Sequence, residues 1–349
     1  MTIIITFAPD MTARTAIVIL NWNGEKFLRK FLHILVENTN PGLAAIYVID
    51  NNSTDNSLTF ISENFPQIKV VVLDKNYGFA GGYNRGLKEI DAEYFMLLNS
   101  DVEVDKDWIN PLVELMDNDQ SIGVCGPKLI SYDNRSMFEY AGAAGGYIDK
   151  YGYPFCRGRV FECLENDCGQ YDNVADCLWI SGAALLIRSK LFFEAGGFDD
   201  DFFAHQEEID LCWRVQNLGY RIVCQPKSKI YHVGGGALPK SNPFKTYLNF
   251  RNNLYLIVKN LPDNEVGFVL FVRFFLDIVA AIRMLFQGNF KECHAVFRAY
   301  GAFLKNKNKM KAKRNPNRKP LAELTGMYRG CIVKKHFLGR AKTSREIWE

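Results

Sequence analysis

The regular structure of the chain begins as short, continuously apolar runs, each ending on a cluster of polar residues. Thr15-Ala-Ile-Val-Ile-Leu-Asn21 is β-branched and unbroken, the pattern of a parallel strand buried on both faces. Asn21-Trp-Asn-Gly24 supplies turn chemistry, and Glu25 to Val36 then sets Phe27, Leu28, Phe31, Leu32 and Leu35 at helical spacing. The unit recurs. Ala45 to Asp50 reads as a second strand, with Asn51 to Asp55 as loop and cap residues for a helix carrying Leu58 and Ile61. Ile68 to Leu73 gives a third strand, Gly81 to Ile90 a third helix, and Tyr94 to Leu98 a fourth strand that opens onto Asn99, Ser100 and Asp101. Strands alternating with helices predict an α/β fold with a mostly parallel sheet and right-handed crossovers.

Further on the pattern loosens. A helix is expected over Asp107 to Asp117 and a strand over Ile122 to Ile130, before a Gly-, Tyr- and Asn-rich excursion of loops and short strands from Ser131 to Asp176. Leu178 to Ile187 reads as a buried strand, Lys190 to Ala195 as a short helix, and Tyr220 to Gln225 and Lys229 to Gly236 as the last extended pieces. Phe244 to Asn260 is a strongly apolar helix that Pro262 closes. Val266 to Phe286 is apolar enough to suggest a membrane span, but Arg273, Asp277 and Arg283 lie within it, and each charge at a bilayer centre costs roughly 2.5 to 3.5 kcal/mol. Their spacing puts them near one side of a helix. Either an interfacial helix or a buried hairpin with Phe290 to Leu304 is expected.

Composition and charge narrow the function classes. The 349 residues are 48% hydrophobic, ordinary for a globular chain of this size. Net charge is only +3, yet Tyr300 to Glu349 holds fourteen Lys or Arg against three Glu. A basic tail on a neutral-to-acidic body argues against nucleic acid as a partner and for a tail that meets an anionic membrane leaflet or stays a solvated linker. The nine cysteines include no C-x-x-C pair and read as reduced thiols, with Cys163 and Cys168 a weak zinc candidate. Ile3 to Phe7 lacks the flanks of a signal peptide, so a cytoplasmic location is expected.

Four stretches carry candidate chemistry. Asp101, beyond the end of a strand, is placed for a hard cation that prefers oxygen ligands, although Asn, Ser and Asp there also make an ordinary turn. Asn76-Tyr-Gly-Phe-Ala-Gly-Gly-Tyr-Asn-Arg-Gly86 allows close backbone approach to phosphate or sugar, or close packing of a helix on the sheet. No G-x-G-x-x-G or G-x-x-x-x-G-K-[ST] occurs. Glu207, Glu208 and Asp210 crowd a helix start, where they serve as first-turn anions or supply a general base. His232 precedes three glycines and reads as a core residue or a ligand.

In order, Asn21-Trp-Asn-Gly24, Ile49 to Asp55, Asn76 to Gly86, Asn99-Ser-Asp101, Trp179-x-Ser-Gly182, Glu207-Glu-x-Asp210-Leu and His232 resemble the family 2 glycosyltransferases of the GT-A fold, over roughly Thr15 to Pro262. Within them the chain looks most like bacterial rhamnosyltransferases of surface polysaccharide synthesis. The resemblance implies a Rossmann-like, mostly parallel sheet with flanking helices, a helical C-terminal appendage, a nucleotide-sugar donor, Mg²⁺ or Mn²⁺, and inversion at the anomeric carbon. Asn21 and Asp50 match positions that hold base and ribose, and Asn76, Gly81, Asn84 and Asn99 fall in the donor pocket. Asp101 matches the metal-binding acid of a D-x-D motif whose first acid is here Asn99, and His232 matches a second metal ligand. Glu208 matches the catalytic base, usually Asp, with Glu207 and Asp210 as the other candidates. The expected domains are a tail at 1–14, the transferase at 15–236, a helical and possible membrane-contacting region at 237–304, and a basic tail at 305–349. Donors implied are dTDP-rhamnose or a UDP-sugar, and the acceptor a lipid-linked glycan at the inner face of the cell membrane. A non-catalytic sugar-nucleotide-binding subunit is the alternative; a nucleotidyltransferase would need a basic phosphate loop after strand one that is absent.

Overall fold

The computed structural model describes residues 3–5, 13–234, 242–316 and 318–349. Its first part runs Ile3–Ile5 (β1), Thr15–Asn21 (β2), Glu25–Glu37 (α1), Ala44–Asp50 (β3), Ser57–Asn64 (α2), Lys69–Val72 (β4), Gly78–Gly86 (α3), Tyr94–Leu98 (β5), Val102–Val104 (β6), Asn110–Asn118 (α4) and Ile122–Ser131 (β7). The excursion holds Gly146–Asp149 (β8), Pro154–Cys156 (β9), Arg159–Val160 (β10), Cys163–Leu164 (β11) and Ala175–Cys177 (β12). Then come Ala184–Arg188 (β13), Ser189–Glu194 (α5), Glu207–Asn217 (α6), Arg221–His232 (β14), Pro243–Asn260 (α7), Asp263–Phe286 (α8), Phe290–Ala312 (α9), Met327–Tyr328 (β15), Ile332–Phe337 (α10) and Ser344–Trp348 (α11).

The main sheet has the order β1-β4-β3-β2-β5-β13-β7-β14-β12, with β6 beside β14. Strands β2, β3, β4, β5, β7 and β14 run one way; β1, β6, β12 and β13 run the other. Helices on both faces explain the unbroken apolar runs. Ala16 and Val18 of β2 face one core, with Tyr83, Trp213 and Leu254, while Ile17 and Ile19 face the other, with Leu28, Leu32 and Trp108. A strand with water on neither side has no reason to alternate.

Three strands differ from expectation. The strand foreseen over Leu178 to Ile187 forms only from Ala184, because Leu178 to Ala183 is used for turns: Trp179 donates Nε1 to the Tyr147 carbonyl, and Ser181 Oγ accepts from the Ala183 N–H. The two pieces expected at Tyr220 and Lys229 form one strand, β14, whose irregularity between Gln225 and Lys229 hid its continuity. Ile3–Ile5, foreseen as tail, pairs antiparallel with β4. The boundary expected between 236 and 237 lies outside the described residues.

The C-terminal part folds back onto the body. On α8, Val269, Arg273, Asp277 and Ala281 face inward, and Arg273 and Asp277 form a buried ion pair. Tyr153 and Tyr300 donate their hydroxyls to Asp277, and Arg273 donates to Asn253 Oδ1 on α7. Arg283 lies off that inward face, exposed at the flank of α8, and stacks over Phe337, so the three charges do not share one face as expected. Part of the basic stretch is engaged: Lys309 pairs with Asp201, Lys313 with Asp199 and Asp201, and Arg314 and Arg318 with Asp263, while Lys305 and Lys311 stay exposed. Beyond it β15 joins β8 in a second small sheet, where Trp348 packs against Tyr147, Phe155 and Tyr328. All nine cysteines are free.

Candidate functional site

The carboxyl ends of β2, β3 and β4 stand together, since Asn21 lies opposite Asp50 and Asp50 opposite Val72. Asn21 donates Nδ2 to Asp50 Oδ1 and Ser53 Oγ, both at 3.1 Å, and Asp50 Oδ2 accepts from the Ser53 N–H at 2.9 Å. Asn21 Oδ1 is buried and finds no partner among the described residues. Asn51, which the sequence reading passed over, donates to Asn76 Oδ1 at 3.0 Å and accepts from the Tyr77 N–H at 2.9 Å, tying the β3 loop to the start of α3. Gly81 is there for space: a Cβ would stand 3.0 Å from both Tyr77 Cβ and the Arg85 guanidinium. Asn84 points elsewhere, donating to the Phe198 carbonyl and Asp200 and accepting from the Phe198 N–H, and so anchors the acidic loop before α6.

After β5 the chain turns at Asn99, whose N–H donates to the Ala183 carbonyl at 3.0 Å, and re-enters the sheet as β6. Antiparallel pairing of β6 with β14 sets Val102 against His232, which brings Asp101 beside the imidazole. His232 Nε2 is 3.2 Å from Asp101 Oδ1, and on the ring's far side Nδ1 is 3.4 Å from Glu139 Oε1. All three side chains are buried. Burial pulls the His232 pKa down, but the contacts with Asp101 and Glu139 outweigh it and lift the value to about 10. The proton so held is one that a divalent cation would displace.

That pair fits a cation. Ligands on adjacent corners of an octahedron with bonds of about 2.1 Å stand about 3 Å apart, close to the observed 3.2 Å. Glu139 stands behind the ring, where its charge acts on the imidazole across 3.4 Å although Nδ1 makes no hydrogen bond among the described residues; a carboxylate there would favour Nε2 as the nitrogen turned to a cation. It was invisible as a candidate: an acid in a loop-rich excursion, far along the chain from His232. Its second oxygen accepts from the Ala141 N–H at 2.6 Å, so it is itself held in place. Among the described residues no three His, Cys, Asp or Glu side chains gather as a full metal cage.

The acids at the start of α6 divide by environment. Asp210 is fully buried and bonded to Lys259, Arg214 and Asn260, which holds its pKa below the usual carboxylate value despite burial. It is a structural anion with no free oxygen to offer a substrate. Glu207 and Glu208 each keep a buried oxygen without a partner among the described residues. Burial pushes the Glu208 pKa up to about 7 against the pull of local N–H groups, and burial with the repulsion of Glu208 pushes Glu207 well up. Glu208 is the less covered of the two and adjoins Gly182, where a Cβ would come within 3.7 Å of Glu208 Cβ and of the Phe79 ring.

The loop that delivers this pair is strained. Phe203, His205 and Gln206 adopt φ of 67°, 69° and 70°, a region non-glycine residues avoid, immediately before Glu207. Helix α7 holds them there. Asn252 donates Nδ2 to the carbonyls of Phe202, Ala204 and His205 at 2.7–2.9 Å, Arg251 donates to those of Asp201 and Phe202, and Asn253 donates to Gln206 Oε1. The Phe250-Arg-Asn-Asn253 segment thus acts on the site through one loop.

This sheet, with polar loops at the carboxyl ends of its strands and a helical appendage, is a GT-A architecture of the glycosyltransferase class. The resemblance read from the motifs is borne out, since residues 16–161 match the family model of Glycosyl transferase family 2. The chain is 23% identical over 248 residues to the O-antigen biosynthesis protein RfbC of Myxococcus xanthus, an alignment covering 69% of this chain but 19% of that protein. It is 24% identical over 238 residues to the N-acetylglucosaminyl-diphospho-decaprenol L-rhamnosyltransferase of Mycobacterium tuberculosis, covering 64% of this chain and 76% of the relative. GalNAc-T7, solved with UDP, GalNAc and Mn²⁺, shares the fold at a TM-score of 0.56 and 17% identity, covering 73% of this chain and 49% of that one.

Proposed function

We propose that this protein is a metal-dependent, inverting glycosyltransferase that moves a sugar, rhamnose in the first instance, from a nucleotide-diphosphate donor to a hydroxyl of a lipid-linked glycan at the cytoplasmic face of a membrane. The observation that carries the reading is the convergence of Asp101 and His232 at 3.2 Å beyond the sheet's carboxyl ends, in a chain whose motifs match family 2. The names of the mycobacterial relative and of the GalNAc-T7 complex support the sugar, the lipid-linked acceptor and the divalent ion. Asp101 and His232 would hold Mg²⁺ or Mn²⁺, which as a Lewis acid neutralises charge on a departing diphosphate.

The remaining roles fall to the chain itself. Asn21 and Asp50, with Asn51 and Asn76 behind them, present polar edges for base and ribose. Glu208, with a pKa near neutrality, accepts the proton of the acceptor hydroxyl as its oxygen bonds to the anomeric carbon and the carbon–diphosphate bond breaks on the opposite side. One displacement without a covalent intermediate inverts the centre. Incubation with a panel of nucleotide sugars, Mn²⁺ and lipid-linked acceptors is expected to give transfer that Asp101→Ala and Glu208→Ala abolish. Rates unchanged by both substitutions overturn the assignment, and donor binding without turnover on any acceptor favours a non-catalytic subunit, to which Asn99 in place of an acid would be suited.

A further inference from the structure

Among the described residues, no part of the protein covers the outer face of α8. Its inward residues include the Arg273–Asp277 pair, Arg283 is exposed at its flank beside Phe337, and its outward residues are Phe268, Phe271, Phe275, Val279, Ile282 and Phe286, spaced by three and four. Phe268, Phe271 and Phe286 are 64%, 63% and 86% exposed, values that are costly for phenylalanine in water. Helix α9 extends the face with Phe290, Phe297 and Leu304, one heptad apart, and next to each stands an exposed cation, Lys291, Arg298 and Lys305. No helix among the described residues is long and apolar enough to cross a membrane.

We infer that the outer face of α8 and α9 seats this protein on an anionic lipid surface, with the phenylalanines in the acyl boundary and the Lys291–Arg298–Lys305 row at the headgroups. An aromatic stripe bordered by cations is the composition of a helix lying in a membrane interface. Charge also argues against a second copy of the chain as occupant. Face-to-face association through this surface would bring two basic rows together, whereas an anionic leaflet neutralises them. The inference deepens the lipid-linked acceptor reading and rests on it for its purpose, but its test needs neither donor nor acceptor.

The full chain would be sedimented with phosphatidylcholine vesicles, with and without phosphatidylglycerol, and its oligomeric state measured in parallel. Binding is expected only to the anionic vesicles, weakening with salt. Phe271→Ser with Phe275→Ser should lower it at least about tenfold, and Lys291→Glu with Lys305→Glu by about fivefold for each basic residue lost. Both pairs lie on the surface, so unchanged circular dichroism and nucleotide binding would show that the fold is intact. Wild-type protein left in the supernatant with anionic vesicles overturns the inference. So does a dimer that the phenylalanine pair dissolves while vesicle binding stays unchanged. Vesicle binding by a protein that transfers no sugar upholds the inference and overturns the catalytic reading alone.

Discussion

Asn252 donates its side-chain amide to the carbonyl of His205 at 2.7 Å, one of three carbonyls of a left-handed loop that it satisfies at once. Asn252→Leu takes their donor from the half-buried carbonyls of Ala204 and His205, while Phe202 keeps Arg251, at a cost of about 1–3 kcal/mol. The loop should relax away from φ near +70°, and Glu207 and Glu208 move with it. The expected result is a lower melting temperature and a drop in kcat larger than any change in donor KM. Unaltered kcat in the variant would mean that the loop keeps its shape without α7.

Glu139→Gln removes the carboxylate behind His232 without touching the metal face. Loss of such a partner typically costs ten- to a hundredfold in metal affinity. Calorimetric titration with Mn²⁺ and nucleoside diphosphate should show that loss, while metal-free nucleotide binding stays as it was. Equal metal affinity in both proteins would leave Glu139 a merely structural acid.

A base is active when deprotonated, so a Glu208 pKa of about 7 fixes the sign of the pH profile. kcat/KM should rise about tenfold per pH unit on the acid side and level off above neutrality. Glu208→Gln should abolish that limb and lower kcat by roughly a hundred- to ten-thousandfold. A rate that stays flat well below neutral pH would point to a base of ordinary acidity.

Glu207 should act on stability in the opposite sense. Its folded-state pKa is raised above the ordinary value of 4.5, so the stability linked to its protonated form is complete below that value and is lost as pH climbs through the folded one. Glu207→Gln is therefore expected to melt higher than wild type in mildly alkaline buffer and about equally in mildly acidic buffer. A uniform shift at all pH values would assign the effect to packing.

The parallel strands were legible because burial on both faces leaves an unbroken apolar run, as in Ile17–Val18–Ile19. Asn99 to Asp101 was legible because polar residues stop such a run abruptly. What lay beyond reach was long-range pairing. Asp210 carries the same local signal as Glu208; its i+4 neighbour Arg214 was within reach of the sequence, but Lys259 and Asn260, on a helix later in the chain, were not. Lys309 and Lys313 read as solvated cations until Asp199 and Asp201 meet them. Glu139 and the outward turn of the α8 phenylalanines likewise depend on which surfaces meet, which neither spacing nor composition encodes.

Asn253 links α8 to the loop before α6. Its oxygen takes the guanidinium of Arg273, on the helix whose far side is apolar, and its nitrogen donates to the Gly152 carbonyl and to Gln206, next in sequence to the acids of α6. A tilt of α8 would therefore reach that neighbouring loop by way of α7. A push on the outer surface would thus be passed inward, along α7, to the acids proposed to take the proton.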